Sequence, residues 1–184
     1  MISVCMPTGG SIKTATVISL IKLFQARNDL EFLTQTSSIL HENRNRLVEK
    51  AKGSHVLFID SDIVFEPEML SQLLQRDKDV IGALYYARKL PKTPTCKKLA
   101  EGFEIWEKEG DLITCAGVGT GFLLIKKSVF RKLKRPYFFW EHKENGDFDY
   151  GEDMYFCRKA REEGFKIYLD PTITVGHLGD YLYE

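Results

Sequence analysis

Apolar residues fall in short blocks separated by polar, glycine-bearing or proline-bearing turns. Ile2 to Met6 is a largely apolar run of strand length, and Pro7-Thr8-Gly9-Gly10 closes it as a turn. Ile18, Leu20, Ile21 and Phe24 then recur at helical spacing, predicting a helix from about Ser11 to Arg27 with Ser11 as its cap. Leu30 to Thr36 alternates as a second strand, and Glu42 to Lys52 follows as a largely polar helix stopped at Gly53. Val56-Leu57-Phe58-Ile59 is apolar throughout, as in a strand buried on both faces, and Pro67 opens a helix reaching Gln75. This rhythm predicts a parallel, doubly wound sheet.

The second half changes character. Asp79 to Ala87 reads as a strand, and Arg88 to Lys98, with two prolines and five basic residues, reads as a loop. Phe103 to Glu107 and Leu112 to Cys115 flank Lys108-Glu109-Gly110-Asp111, which is hairpin chemistry. Gly117, Gly119 and Gly121 alternate ahead of the apolar run Phe122 to Ile125, and a helix is expected from Ser128 to Leu133. Gly151-Glu152-Asp153-Met154 opens a helix to Glu163, stopped by Gly164, with Met154, Cys157 and Ala160 on its inner face. After a strand from Phe165 to Leu169, Asp170-Pro171 reads as a turn, and Thr172 to Val175 leads to Gly176-His177-Leu178-Gly179. The expectation is one α/β domain over residues 1–184, with antiparallel strands added to a parallel sheet.

Composition narrows the function. The 26 basic and 26 acidic residues cancel, which argues against a nucleic-acid partner. No apolar run approaches the roughly 18 residues of a membrane span, so no transmembrane segment is expected. No leader pattern is visible either, and a cytoplasmic location is expected. The four cysteines form no C-x-x-C pair and read as reduced thiols.

The candidate chemistry centres on Asp60-Ser61-Asp62. D-x-D occurs three times, but Asp77/Asp79 reads as a solvated turn and Asp147/Asp149 as a polar loop. Only Asp60 and Asp62 end a buried strand. Two carboxylates there repel each other unless a cation or donor-rich ligand lies between them, and a divalent metal is the simplest answer. Pro7-Thr8-Gly9-Gly10, between strand and helix, is either a phosphate-facing turn or an ordinary βα turn. Arg46 is either within reach of a phosphate or part of a solvated helix face. The bare backbone of Gly119-Thr120-Gly121 leaves room for something to lie against it, or is simply a glycine-rich turn.

Tyr137-Phe138-Phe139-Trp140 reads as partly buried core ahead of a sugar-stacking platform or a membrane-surface patch. Glu152 and Asp153 suit a helix N-terminus, where a carboxylate gains a few tenths to about 1 kcal/mol. Consecutive helical residues diverge by about 100°, so only one can point squarely at a ligand. His177, between glycines after a strand, is a candidate ligand or catalytic residue.

In this order the segments resemble the GT-A fold nucleotide-sugar glycosyltransferases, particularly the family 2 type. The resemblance is carried by Ile2 to Met6, Phe58-Ile59-Asp60-Ser61-Asp62, Gly119 to Ile125, Gly151-Glu152-Asp153 with Arg158, Gly164-Phe165-Lys166-Ile167 and Gly176-His177. It implies a Rossmann-like mixed sheet flanked by helices, a UDP- or GDP-sugar donor and a carbohydrate or other hydroxyl acceptor. By the same resemblance Asp60 lies near the donor ribose and the metal, Asp62 binds Mn²⁺ or Mg²⁺, and His177 completes the metal site. An imidazole ligand favours Mn²⁺. Asp153, beside Glu152, matches the general base of inverting members, and Pro7, Thr8, Arg46, Asp60, Ser61, Gly119, Thr120 and Gly121 fall on the donor side.

Two alternatives accompany this reading. Asp60-Ser61-Asp62-Ile63-Val64 also fits the D-x-D-x-[TV] nucleophile motif of haloacid-dehalogenase-type phosphatases, although two βα units precede it. A GT-A-like protein that binds a nucleotide sugar without turnover is the other.

Overall fold

The computed structural model describes residues 1–89, 93–97, 107–109 and 111–179. The strand expected from Phe103, Gly110 of the hairpin turn and the middle of the Arg88 to Lys98 loop lie outside the described residues.

The chain begins β1 (Ile2–Thr8), α1 (Thr14–Ala26), β2 (Leu30–Thr36), α2 (Leu40–Lys50) and β3 (His55–Ile59). It continues β4 (Ile63–Val64), α3 (Glu68–Gln75), β5 (Val80–Leu84), β6 (Cys96–Lys97), β7 (Glu107–Glu109), β8 (Leu112–Cys115), β9 (Gly117–Val118) and β10 (Phe122–Lys126). It closes with α4 (Lys127–Lys132), β11 (Glu141–His142), β12 (Phe148–Tyr150), α5 (Glu152–Glu162), β13 (Ile167–Thr174) and β14 (Gly176–His177).

Eight strands form one mixed sheet in the order β2-β1-β3-β10-β5-β13-β8-β7. β1 runs parallel to β2 and β3, and β5 parallel to β13. Between these parallel groups lies β10, antiparallel to both β3 and β5, with Leu124 facing Leu57 on one side and Ile81 on the other. Phe122 to Ile125 are buried without alternation because both faces of this central strand are covered. One face packs Val4, Leu57, Ile59 and Leu124 under α1 and α3. The other packs Cys5, Phe58, Leu123 and Ile125 under α2, α4 and α5. No helix among the described residues is long and apolar enough to cross a membrane.

Two local expectations are corrected. Ser11 does not cap α1: the helix starts at Thr14 with no side-chain cap, and the Ser11 carbonyl instead accepts the Thr8 hydroxyl at 2.9 Å. Asp170-Pro171 does not separate two strands but lies inside β13, at a register shift against β5. Proline has no N–H to give a ladder, and a bulge is where a strand tolerates that loss.

The bulge is built around Asp170, which is fully buried. Its carboxylate takes Arg76 Nε at 2.7 Å, and the Thr172 N–H and hydroxyl at 2.9 and 2.6 Å. Asp170→Ala removes three hydrogen bonds, while Arg76 is exposed enough to rehydrate. The loss falls at the low end for a broken buried pair, about 3 kcal/mol. A drop of about 6–12 °C in Tm is expected by thermal melt.

Candidate active site

The site is built where β3 ends. Asp60 donates its N–H to the Gly121 carbonyl (3.0 Å) and accepts from the Ile63 N–H (3.2 Å), turning the chain tightly through Ser61 and Asp62. Lys13 donates its N–H to the Ser61 carbonyl at 2.9 Å, tying the turn after β1 to this one. Short β4 then pairs antiparallel with β14, setting His177 opposite Ile63, and Leu178 donates to the Asp62 carbonyl at 2.9 Å. This ladder brings His177 Nε2 to 3.5 Å from Asp62 Oδ1.

The tautomer follows from the partners. His177 Nδ1 lies 2.8 Å from the Tyr86 carbonyl, which only accepts, so Nδ1 carries a proton. Nε2, on the Asp62 side, bonds the carboxylate only when the ring is protonated there too, and is an open donor atom when the ring is neutral. The hydrogen bond with Asp62 raises the His177 pKa above its ordinary value, outweighing burial. Burial raises the Asp62 pKa, but the bond and charge of His177 and Arg88 Nη1 at 3.0 Å together hold it below the usual carboxylate value.

Behind Asp60 sits Arg44, 1% exposed. Its Nη2 contacts Asp60 Oδ1 and its Nη1 contacts Glu152 Oε1, each at 2.7 Å, while its Nε has no partner. The other Glu152 oxygen accepts Trp140 Nε1 at 2.5 Å. Burial, with Asp62 and Glu152 nearby, raises the Asp60 pKa despite Arg44. Asp153 forms no ion pair among the described residues, and one of its oxygens accepts the Met154 N–H at 2.7 Å. Burial and then the Glu152 charge raise its pKa. The two neighbouring carboxylates therefore diverge: Glu152 is held in a charge network and Asp153 is kept basic.

Pro7, Thr8, Asp60, Ser61, Asp62 and His177 all line one cleft of about 410 Å³. Thr8 Oγ1 is engaged within its own turn, donating to the Ser11 carbonyl and accepting the Gly10 N–H at 3.1 Å. Arg46 lies elsewhere, 55% exposed and 3.4 Å from Glu42 one turn away. The bare backbone at Gly119 and Gly121 does receive a group, but it is Tyr85 from this chain. The phenol oxygen accepts the Gly121 N–H at 2.9 Å and would lie 2.1 Å from a Cβ at position 119. Thr120 between them is buried.

Sequence reasoning passed over Arg44, Tyr85 and Arg88. Arg44 was the most legible of these, since it shares a helical face with Leu47 and Val48 at i+3 and i+4, whereas Arg46 does not. No preassembled group of three metal-ligating side chains stands among the described residues, Asp60 and Asp62 being held instead by Arg44 and Arg88.

A mixed sheet with an antiparallel strand at its centre and a D-x-D turn at the end of β3 defines the class as the GT-A glycosyltransferase fold. The crystal structure of A197 from STIV superposes with a TM-score of 0.67 at 22% identity, covering 97% of this chain and 86% of that one. The structure of GalNAc-T7 with UDP, GalNAc and Mn²⁺ superposes at 0.58 with 13% identity, over 97% of this chain and 44% of that one. No curated protein sequence gives a significant match. Residues 9–134, more than half of the chain, match the model of Glycosyl transferase family 2, and the chain belongs to that family. The matched region includes Arg44, Asp60, Asp62 and Tyr85 and ends before Glu152, Asp153 and His177. The protein is a glycosyltransferase by family, and that membership displaces the phosphatase alternative.

Proposed function

We propose that this chain moves a sugar from a nucleoside-diphosphate sugar to an acceptor hydroxyl with inversion at the anomeric carbon, using Mn²⁺ or Mg²⁺. The observation that carries the reading is the β4–β14 clamp, which holds the Asp62 carboxylate and the His177 imidazole face to face at the wall of the cleft. A carbonyl on Nδ1 that leaves Nε2 open is the arrangement that orients an imidazole toward a metal. Asp60, Asp62 and His177 together offer oxygen and nitrogen donors, a set that suits Mn²⁺ better than Mg²⁺. When bound, such a cation supplies charge neutralisation at the departing diphosphate.

The remaining work falls to the protein. Asp153 takes the proton of the acceptor hydroxyl as that oxygen bonds to the anomeric carbon, and the bond from this carbon to the diphosphate breaks, its electron pair leaving with the nucleotide. Arg44 fixes Asp60 and Glu152 against one another, joining the donor side of the site to the acceptor side. Pro7, Thr8 and Ser61 form the donor wall, and Gly119, Thr120 and Gly121 support it by seating Tyr85. The sharing of this fold with a protein crystallised with UDP and Mn²⁺ makes that pair the first to try.

The test is a thermal-shift panel of UDP, GDP, CMP and their sugars, each with Mn²⁺ or with chelator. At about a hundred times Kd a ligand stabilises the native state by roughly 2.7 kcal/mol, a rise of about 5–10 °C at this size. One nucleotide is expected to produce that rise and to lose it on chelation. Asp62→Ala is expected to abolish the metal-dependent part; an unchanged shift in that variant would remove Asp62 from the metal site. Binding without transfer or donor hydrolysis would instead identify a non-catalytic nucleotide-sugar binding protein.

A further inference from the structure

Resting on this glycosyltransferase reading, we infer that Phe139 and Trp140 form the acceptor subsite and that the acceptor is a carbohydrate, whose pyranose ring stacks on the Trp140 indole.

The chain spends buried hydrogen bonds on holding these rings in water. Asn45, buried in α2, donates Nδ2–H to the Phe138 carbonyl at 2.9 Å and accepts the N–H groups of Tyr137 and Phe138 at 2.9 and 3.1 Å. Phe138 itself enters the core, stacked on Phe156 at 4.9 Å and edge-on to Phe58 at 5.3 Å. With that residue anchored, Phe139 and Trp140 stand 45% and 42% exposed on a fixed backbone. Covering the apolar surface that these rings leave in water is favourable, so their exposure is a cost that a ligand can recover.

They are tied to the candidate site through Glu152. Trp140 donates to Glu152, the neighbour of Asp153, and Glu152 leads through Arg44 to Asp60. His41 packs on both rings, at 5.5 Å from Phe139 and 5.6 Å from Trp140, and follows Leu40, which lines the cleft. The shelf thus contacts Glu152, the residue before the base, and His41, the residue after Leu40 of the cleft.

Its chemistry is that of a sugar site. A pyranose presents an apolar C–H face, which suits an aromatic plane, and a rim of hydroxyls, which suits carboxylate acceptors such as Glu152. A membrane surface fits less well. Arg135 is engaged by Glu42 and Glu49 at 2.9 Å each, Arg158 by Glu141 at 2.7 Å, and Lys159 by the Lys134 and Pro136 carbonyls at 2.5 and 2.8 Å. Arg135 and Arg158 are thus paired with carboxylates, and Lys159 is drawn back onto the backbone, which weakens the pull of the shelf toward an anionic bilayer.

The experiment is ligand-observed NMR with methyl β-glucoside, methyl β-galactoside, methyl α-mannoside and, as a non-sugar alcohol, cyclohexanol. It uses the wild-type chain, Trp140→Ala, Trp140→Phe and Phe139→Ala, each with UDP or GDP and Mn²⁺ present and each shown by thermal melt to fold. At least one glycoside is expected to bind in preference to cyclohexanol. Trp140→Ala should weaken it about tenfold or more, while Trp140→Phe, which keeps an aromatic face but not the indole N–H, should stay within about threefold of wild type. Binding that is indifferent to Trp140→Ala overturns the proposal, and so does equal loss in Trp140→Phe, which would assign the effect to the bond with Glu152. Wild-type but not Trp140→Ala sedimentation with phosphatidylcholine–phosphatidylglycerol vesicles also overturns it, in favour of a membrane-surface patch. If a nucleotide with Mn²⁺ raises the melting temperature and no glycoside binds, the shelf assignment fails alone; if no nucleotide does so, the failure lies in the donor reading.

Discussion

Asp153→Asn is expected to lower the rate of sugar transfer by a factor of about 10²–10⁴ while leaving nucleotide binding unchanged. Asparagine keeps the shape of the side chain and its bond to the Met154 N–H, so only the proton acceptor is lost. The pH profile supplies a second readout. A base must be ionised to work, and burial together with Glu152 raises the Asp153 pKa. In the wild type, kcat/KM should therefore fall with decreasing pH along a limb lying above the ordinary carboxylate value of about 3.9.

The stability effect has the opposite sign to the activity effect. An aspartate whose folded pKa is raised binds protons more tightly in the native state, so its ionisation costs stability as pH rises through that pKa. Asparagine cannot ionise, and at pH 7 the variant is expected to melt no lower than the wild type. Retained turnover would rule Asp153 out as the base, whatever the melt shows.

Arg44→Met is expected to cause the largest loss of stability, about 3–5 kcal/mol, because it leaves the Asp60 and Glu152 carboxylates facing each other without their shared cation. The corresponding fall in Tm is about 6–20 °C. The deficit should shrink as pH falls. Asp60 already has a raised pKa in the folded state, losing the Arg44 charge raises it further, and a native state that binds more protons gains stability on acidification. Glu152→Gln added to Arg44→Met should restore part of the loss, since one of the two uncompensated charges is gone. Arg46→Met should change stability by no more than about 0.5 kcal/mol, as its ion pair with Glu42 is exposed. Equal effects of the two arginine substitutions would refute the bridging role of Arg44.

These two side chains mark the limit of what the sequence made legible. Asp60 and Asp62 were recognisable because an uninterrupted apolar strand leads into them, and Glu152 and Asp153 because a glycine and a periodic helix bracket them. Which arginine of α2 faces the site was readable in principle from its position relative to Leu47 and Val48. Its partners were not, because Glu152 lies in a distant part of the chain. The alternating glycines reported truthfully that something lies against their backbone, but sequence spacing cannot tell a ligand from the chain's own Tyr85.

By itself, the sequence determined most of the local elements and the D-x-D turn at a strand's carboxyl end, since periodicity and turn chemistry act over a few residues. It did not determine every buried face: Leu20 of α1 is buried while Ile18 and Ile21, at the same apparent spacing, are each 51% exposed. The tertiary structure decided that β10 enters the centre of the sheet antiparallel, so that the Gly121 carbonyl holds the Asp60 N–H. It also decided that β14 pairs with β4 and sets His177 beside Asp62. Both are pairings between segments remote in sequence. An apolar run such as Phe122 to Ile125 shows that a strand is buried on both faces but not which neighbours bury it, and that choice rests on the summed contacts of the whole core.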